Sequence, residues 1–370
     1  MITDKYSIVH TESSGGWGGQ EIRILSEAKE ALKHGHQVTL LCDADTPIAK
    51  RAKKYDIPTV ELPIGKKSLK GLFALRRWFL KNDFDVINTH SSSDSWMVAL
   101  GMRLALHVKP LVRTRHVSAP VSNNKATRWL YQVASDHIVT TGEKLREALV
   151  NNNNISPERI TSVPTGIDVD LFQPPLDKES TRLSLGLPTG KSIIGIVATL
   201  RSWKGHSYLI DAFKSLDNDN LHLLIVGDGP QWDSLNAQVQ SLDLAGQVTL
   251  CGDQENVVPW LQSMDLFVLP SYANEGVPQS LMQAMACGVP VISTDVGSIC
   301  EIVRDGSSGS IVKARDASDL SRAMNNLLDQ CSLRDEFSSN ALAQAKDLFG
   351  LNVMFKKMHG IFSGVINEDK

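Results

Sequence analysis

The stretch DLFVLPSYANEGVPQSLMQAMACGVPVISTDVG, residues 265–297, reads as strand, loop, helix and strand in that order. DLFVLP and VPVIST are short apolar runs, as expected for parallel strands covered on both faces. Pro278 stands where a helix starts, and Gly288 marks where it ends. Two parallel strands joined through a helix make a βαβ unit, which implies helices packed on a parallel sheet.

The same alternation extends in both directions. Upstream, apolar runs occur at 6–10, 37–42, 84–89, 110–115 and 136–141, with a further strand at 160–163. A second series occupies 192–198, 221–227 and 247–251 before the opening stretch. Amphipathic runs of helix length fill the gaps, at 20–33, 206–216, 230–242 and 318–330. The pattern restarts after VPTGIDVDLFQPPLDKEST, a Pro-, Asp- and Gly-rich connection. The fold class is therefore α/β with two doubly wound parallel sheets. The expected domains are 1–165 and 166–348. Residues 349–370 form a helix with apolar residues at Leu351, Met354, Phe355, Met358, Ile361, Phe362 and Val365, which caps the second domain or returns to the first.

Composition narrows the class. The 370 residues include 42% hydrophobic and 21% charged residues, as in ordinary globular chains. The net charge of −3 hides an asymmetry: residues 1–165 hold 23 Lys and Arg against 16 Asp and Glu, and the remainder is acidic. That argues against a nucleic-acid footprint over the whole chain and leaves a basic first half able to face an anionic partner. The five cysteines are widely spaced with no CxxC, and read as reduced thiols. The N-terminus lacks a signal-peptide pattern, and no apolar run is long enough to span a membrane. A cytoplasmic chain is expected.

Four features bear on chemistry. The first is Ser13-Ser14-Gly15-Gly16-Trp17-Gly18-Gly19-Gln20-Glu21, between the first strand and first helix, where backbone N–H groups can approach a phosphate. Its glycine spacing is not GxGxxG. The second is Leu200-Arg201-Ser202-Trp203-Lys204-Gly205-His206, which puts two cations at the carboxyl end of a strand, where open α/β sheets bind ligands. Arg offers a planar fork and Lys a point charge, a pair suited to a diphosphate. The third is the loop holding Glu275, with Gln283 one and a half turns into the helix that follows. Glu275 serves either a ligand or the helix dipole. The fourth is a pair of strand-end histidines, His90 in NTHSSSD and His116 in VRTRHVS, the latter beside Arg113 and Arg115. His10 ends the first predicted strand and reads equally as a core or turn residue. Four Asp-x-Asp pairs lack the neighbours a metal site needs. GKKSLKGLFALRRWFLK, residues 65–81, is basic and amphipathic, which suits a solvated helix face or peripheral contact with anionic lipid.

Taken together, the Gly-rich loop, HSSSD, RTRH, VPTGID, LRSWKG, IVGDGP and EGVPQSLMQAMACGVPVISTDVG resemble the retaining glycosyltransferases of family 4, over nearly the whole chain. ESSGGWGGQE resembles a bacterial subgroup that builds surface polysaccharide or lipopolysaccharide. The resemblance implies a GT-B fold, with two Rossmann-like domains facing a cleft. It implies acceptor binding by the first domain and nucleotide-sugar binding by the second. It places Arg201 and Lys204 on the donor diphosphate and Glu275 on the donor sugar. Gly276, Val277 and Pro278 would lie nearby, and Gly15, Gly16, Gly18 and Gly19 would cover the phosphates. His116 matches the histidine near the reacting carbon, with His90, Arg113 and Arg115 on the acceptor side. No metal or cofactor is implied. The expected partners are a nucleotide sugar and a glycan or lipid-linked acceptor, and the expected location is the cytoplasm or the inner face of the membrane.

Two positions depart from the family pattern. Its E-x7-E motif reads Glu275-x7-Gln283, so the residue expected at the nucleotide ribose has lost its charge. The usual Arg five residues before the Lys is replaced by Thr199, with Arg201 closer in. A nucleotide-sugar-binding subunit without catalysis, a nucleotide-sugar epimerase and an NAD-type oxidoreductase are the competing readings.

Overall fold

The computed structural model describes residues 4–117, 119–273 and 275–368. The chain divides into two compact units, 1–166 with 351–370 and 167–350. The crossings fall one or two residues beyond the positions read from sequence.

In the first unit seven strands form one parallel sheet in the order β3-β2-β1-β4-β5-β6-β7. They are β1 (Ser7–Glu12), β2 (Gln37–Cys42), β3 (Thr59–Glu61), β4 (Val86–Thr89), β5 (Leu111–Arg115), β6 (His137–Thr140) and β7 (Ile160–Ser162). The helices among them are α1 (Gly19–Lys33), α2 (Pro47–Lys54), α3 (Leu69–Phe79), α4 (Ser92–Ala105), α5 (Lys125–Trp129) and α6 (Glu143–Asn153). The predicted first strand stopped at His10. Here β1 runs on to Glu12, because Thr11 and Glu12 pair with Leu41 and Cys42.

The second unit repeats the plan with six strands in the order β10-β9-β8-β11-β12-β13. These are β8 (Ser192–Val197), β9 (Leu221–Val226), β10 (Val248–Leu250), β11 (Leu266–Leu269), β12 (Val291–Thr294) and β13 (Gly309–Val312). Its helices are α7 (Lys178–Ser184), α8 (His206–Lys214), α9 (Trp232–Ser241), α10 (Val258–Gln262), α11 (Gln279–Ala286), α12 (Ala317–Asp329) and α13 (Cys331–Leu348). Every strand pair in both sheets is parallel.

The closing helix α14 (Leu351–Glu368) belongs to the first unit. Its buried stripe of Met354, Phe355, Met358, Phe362 and Val365 joins the core beneath α1 and α2. The Phe355 ring stacks on His34, with centroids 4.2 Å apart. A second core lies on the other face of that sheet, where α3 and α4 cover Val9, Leu41, Ile87 and Leu111.

Both sheets reverse direction of growth at one place: between β1 and β4 in the first, between β8 and β11 in the second. At such a switch point adjacent loops leave the sheet on opposite sides and open a crevice beyond the strand ends.

Candidate active site

In the second unit the loops after β8 and β11 meet across the switch point. Arg201, Ser202 and Lys204 form a tight turn, with Lys204 N donating to Arg201 O at 3.0 Å. Gly205 follows with φ near 80°, and a Cβ there would lie 2.1 Å from Pro270 O, so only glycine lets the two loops approach. Tyr272 N donates to Trp203 O at 2.8 Å, tying the loops together. The result aims Lys204 Nζ at Glu275 Oε1, 2.6 Å away. Ser271 Oγ donates to the same oxygen at 2.5 Å. Glu275 is 4% exposed. Gly297 packs against its backbone, where a Cβ would come within 2.1 Å of Glu275 O.

The helix α11 begins just beyond, with Pro278 at its N-cap position and Gln283 half-buried along it. Val277 is buried and Gly276 accepts from Ser298 N at 3.2 Å. Arg201 does not join the Lys204–Glu275 pair. It is exposed, with its guanidinium 5.7 Å from the Trp203 ring centroid. Asn274 of this loop lies outside the described residues.

In the first unit the Gly-rich loop follows β1. Glu12 pins it at both ends: Oε1 accepts from Ser14 N at 2.6 Å, and Oε2 accepts from Gln20 Nε2 at 2.5 Å. Ser91 Oγ donates to Glu12 Oε1 at 2.5 Å and so links the loop to the start of α4. Trp17 rests against the Arg51 guanidinium, 3.8 Å from its ring centroid. Gly15, Gly16 and Gly18 all avoid the left-handed region. A Cβ on Gly15 would meet nothing within 4 Å, and on Gly18 only Glu21 Oε2 at 3.8 Å. Nothing in the fold of this unit requires glycine at those two positions.

Beside the loop, three histidines form a row from within β1 across the ends of β4 and β5. His10 Nδ1 lies 3.0 Å from His90 Nε2, and His90 Nδ1 lies 3.0 Å from His116 Nε2. Strand periodicity places them. Ile8 and His10, Val86 and Asn88, and Val112 and Thr114 point to the face that α1 covers. His90 and His116 continue β4 and β5 by one residue each. Asn88 Nδ2 donates to Glu27 Oε1 at 3.2 Å, and Thr114 Oγ1 donates to Asn88 Oδ1 at 2.8 Å. Burial, with Arg23 nearby, pushes the His10 pKa down to about 3. His90 is held well below the ordinary value by burial and by its two histidine neighbours. Burial and then Arg23, Arg113 and Arg115 do the same for His116. The row is neutral at physiological pH.

Both ring nitrogens of His90 are therefore engaged by its neighbours, and only 4% of the residue is exposed. To serve as the acceptor-binding residue read from sequence, His90 would have to give up one of these two contacts. Arg113 Nη1 donates to Ser91 O at 3.3 Å and its guanidinium covers Tyr131. Arg115 donates to Tyr131 Oη at 3.3 Å and to Ala119 O. His116 is half-buried at the open end of the row. Among the described residues no group of three His, Cys, Asp or Glu side chains is arranged to hold a metal.

Sequence reading missed Glu12, Glu27, Ser271 and the place of His10. A polar residue two positions before each strand-end histidine, Asn88 before His90 and Thr114 before His116, was the available signal.

Two parallel-sheet units with polar loops at their switch points define an open α/β class whose ligands bind in the crevices beyond the strand ends. Comparison with known proteins gives the family. Residues 17–171 match glycosyltransferase family 4, and residues 177–344 match the glycosyl transferases of group 1. A D-inositol 3-phosphate glycosyltransferase of Corynebacterium aurimucosum is 27% identical, over 94% of this chain and 91% of that one. The UDP-Gal:alpha-D-GlcNAc-diphosphoundecaprenol alpha-1,3-galactosyltransferase of Escherichia coli is 24% identical, over 88% of each. Among solved structures, a glycosyltransferase from Rickettsia africae superposes with a TM-score of 0.88 at 20% identity, over 98% of this chain and 99% of that chain. Anabaena HepE in complex with UDP gives 0.84 at 21% identity, over 97% of this chain and all of the other. The chain belongs to the family 4 glycosyltransferases and has the GT-B fold.

Proposed function

We propose that this glycosyltransferase moves a sugar from a nucleoside-diphosphate sugar to a hydroxyl of a glycan or lipid-linked acceptor, with retention of anomeric configuration, in cell-surface polysaccharide or lipopolysaccharide synthesis. The observation that carries the reading is the Lys204–Glu275 pair at the switch point of the second sheet. Breaking a sugar–phosphate bond leaves negative charge on the diphosphate and positive charge on the anomeric carbon. Preorganised cations and N–H dipoles stabilise the first. In this reading Lys204 and Arg201 meet the diphosphate, together with the backbone N–H groups that follow Gly276. Glu275 accepts hydrogen bonds from the donor sugar's hydroxyls. Gly15, Gly16, Gly18 and Gly19 offer bare backbone N–H groups that suit a phosphate.

The acceptor hydroxyl attacks from the face that the diphosphate leaves, and a departing phosphate oxygen takes its proton. His116 stands at the reacting carbon, with Arg113 and Arg115 behind it shaping an acceptor site. The chain's own groups carry the developing charge, so the reading calls for no resident metal or cofactor.

Charge and a relative's name support the acceptor class. The first 165 residues are net basic, and one relative's name specifies a diphosphoundecaprenol-linked sugar as acceptor. The helix α3 and the residue that caps it leave Leu69, Phe73 and Leu80 exposed within a segment rich in Lys and Arg. That surface suits peripheral contact with anionic lipid at the inner face of the membrane. No described helix is long and apolar enough to cross one.

The test is a thermal-shift panel of UDP, GDP, ADP, CMP and NAD on the protein and on Lys204→Ala. A ligand that binds the native state raises its melting temperature. One nucleoside diphosphate should stabilise the wild type and not the variant. Stabilisation by NAD alone would reject the reading. Nucleotide binding without transfer to any acceptor would instead favour the donor-binding subunit that Gln283 raises.

A further inference from the structure

The histidine row has a direction. In a chain of neutral imidazoles each shared nitrogen pair holds one proton, so a single choice fixes every tautomer. His10 Nε2 has no hydrogen-bond partner, and the Glu27 carboxylate faces it with Oε1 at 4.0 Å. Glu27 lies on α1, 1% exposed, with Arg23 Nε 3.7 Å from its other oxygen. Burial raises the pKa of the Glu27 carboxyl, and Arg23 and the hydrogen bond from Asn88 Nδ2 to Oε1 oppose that rise; as a carboxylate oxygen, Oε1 faces His10 as an acceptor. A proton on His10 Nε2 is drawn toward that oxygen, whereas a lone pair there would face another lone pair. His10 Nδ1 then accepts from His90 Nε2, and His90 Nδ1 accepts from His116 Nε2.

We propose that Glu27, His10 and His90 are positioning residues that hold His116 as its Nε2–H tautomer and so present Nδ1 as a hydrogen-bond acceptor for a sugar hydroxyl. His116 Nδ1 makes no hydrogen bond among the described residues, and His116 is the half-buried, open end of the row. The opposite order would turn the same nitrogen into a donor. The buried ion pair on α1 thus sets what the reaction centre can accept, about three rings away from it. The inference rests on the proposed reading in one respect, that His116 stands at the reacting sugar.

The charged groups around the row are few. Arg23 and Glu27 face it from α1. Arg113 and Arg115 flank it on β5. Asp94 of α4 accepts from His90 N at 3.0 Å and from Thr11 Oγ1 at 2.6 Å, and Glu12 on β1 lies next to Asp94. Three arginines close to the row disfavour a second proton on any ring, so the order holds while the rings stay neutral.

The experiment is ¹⁵N NMR of the full chain labelled at histidine, with His116 assigned from His116→Gln. Pyridine-like and pyrrole-like ring nitrogens have well-separated shifts. The expected result is a pyridine-like Nδ1 and a pyrrole-like Nε2 at His116 throughout about pH 5 to 8. A protonated Nδ1, or a His116 that titrates near its ordinary value, overturns the proposal.

Kinetics supply the second arm. Glu27→Gln should mix the two tautomers and lower kcat about tenfold with KM for the donor unchanged. His90→Asn keeps an acceptor in place of Nδ1 and should retain more activity than His90→Leu; equal losses overturn the proposal. His116→Gln at the wild-type rate would reject the role at the sugar, while the tautomer measurement would still report on the row itself.

Discussion

Lys204 Nζ and Glu275 Oε1 lie 2.6 Å apart although 71 residues separate them in the chain. The pair is mostly buried, with side-chain exposures of 19% and 5%. Removing one partner of such a pair leaves the other charge uncompensated, at a cost of about 3–5 kcal/mol. Lys204→Met should therefore lose both stability and activity. The double variant Lys204→Met with Glu275→Gln should regain most of the stability and none of the activity. Turnover should stay down by about 10²–10³, the loss expected when one charge-stabilising donor is removed. Urea melts and transfer assays on the wild type and the two variants separate the two effects, and recovery of turnover in the double variant would show that the pair is structural only.

Glycines in the two units have different work. Gly205 has φ near 80° and no room for a Cβ beside Pro270 O, so Gly205→Ala should unfold the loop. Gly15 has open space around it and an ordinary φ. Gly15→Ala should leave the protein as stable as before, or more stable by about 0.4–1 kcal/mol through the unfolded chain. If phosphates approach the bare backbone there, transfer should fall about tenfold or more, since small displacements at a reacting centre are costly. Unchanged transfer would remove the loop from the donor site.

The exposed face of α3 has a separate consequence. Lys66 and Lys70 are exposed, and residues 65–81 hold no acidic residue. Each Lys near an anionic surface contributes about 1 kcal/mol. The protein should cosediment with vesicles containing phosphatidylglycerol and not with pure phosphatidylcholine. Replacing both lysines by Gln should weaken this by about 2 kcal/mol, roughly 30-fold. Raised salt should weaken it as well. Equal binding to both vesicle types would leave α3 an ordinary solvated helix.

How far the sequence could be read depends on what each residue does. Strands buried on both faces announce themselves as apolar runs, so the centres of both sheets were legible. The strands β3 and β13 were not, because TVE and GSIV are short and sit at sheet edges, where one side needs no apolar cover. The helix α13 went unread because little more than Phe337, Ala341 and Ala345 face inward, too narrow a stripe to show periodicity. The Gly-rich loop, Lys204, Glu275 and His116 stood out as motif residues. Their supports did not: Arg23 and Glu27 look like the charged face of an amphipathic helix, yet both are buried. Glu12 looked like loop and is the last residue of β1. Pairings across the sheet, such as His10 with His90, depend on strand order, which local pattern does not specify.

Gln283 offers the most direct check on the donor side. It sits half-buried on α11, one and a half turns beyond Pro278. The family pattern has a carboxylate there for the nucleotide ribose, and a neutral amide supplies a weaker acceptor. A hydrogen bond to a charged acceptor is roughly twice as strong as a neutral one, a gain of about 1 kcal/mol. Gln283→Glu should thus tighten nucleoside-diphosphate binding about fivefold, measured by calorimetry. The gain should vanish with an analogue lacking the ribose hydroxyls, because their O–H groups are the donors that the new carboxylate would meet. A gain that survives their removal would mean that the carboxylate acts through the loop carrying Glu275 rather than on the ribose. Weaker binding would mean that α11 presents this position to the diphosphate, where a negative charge repels.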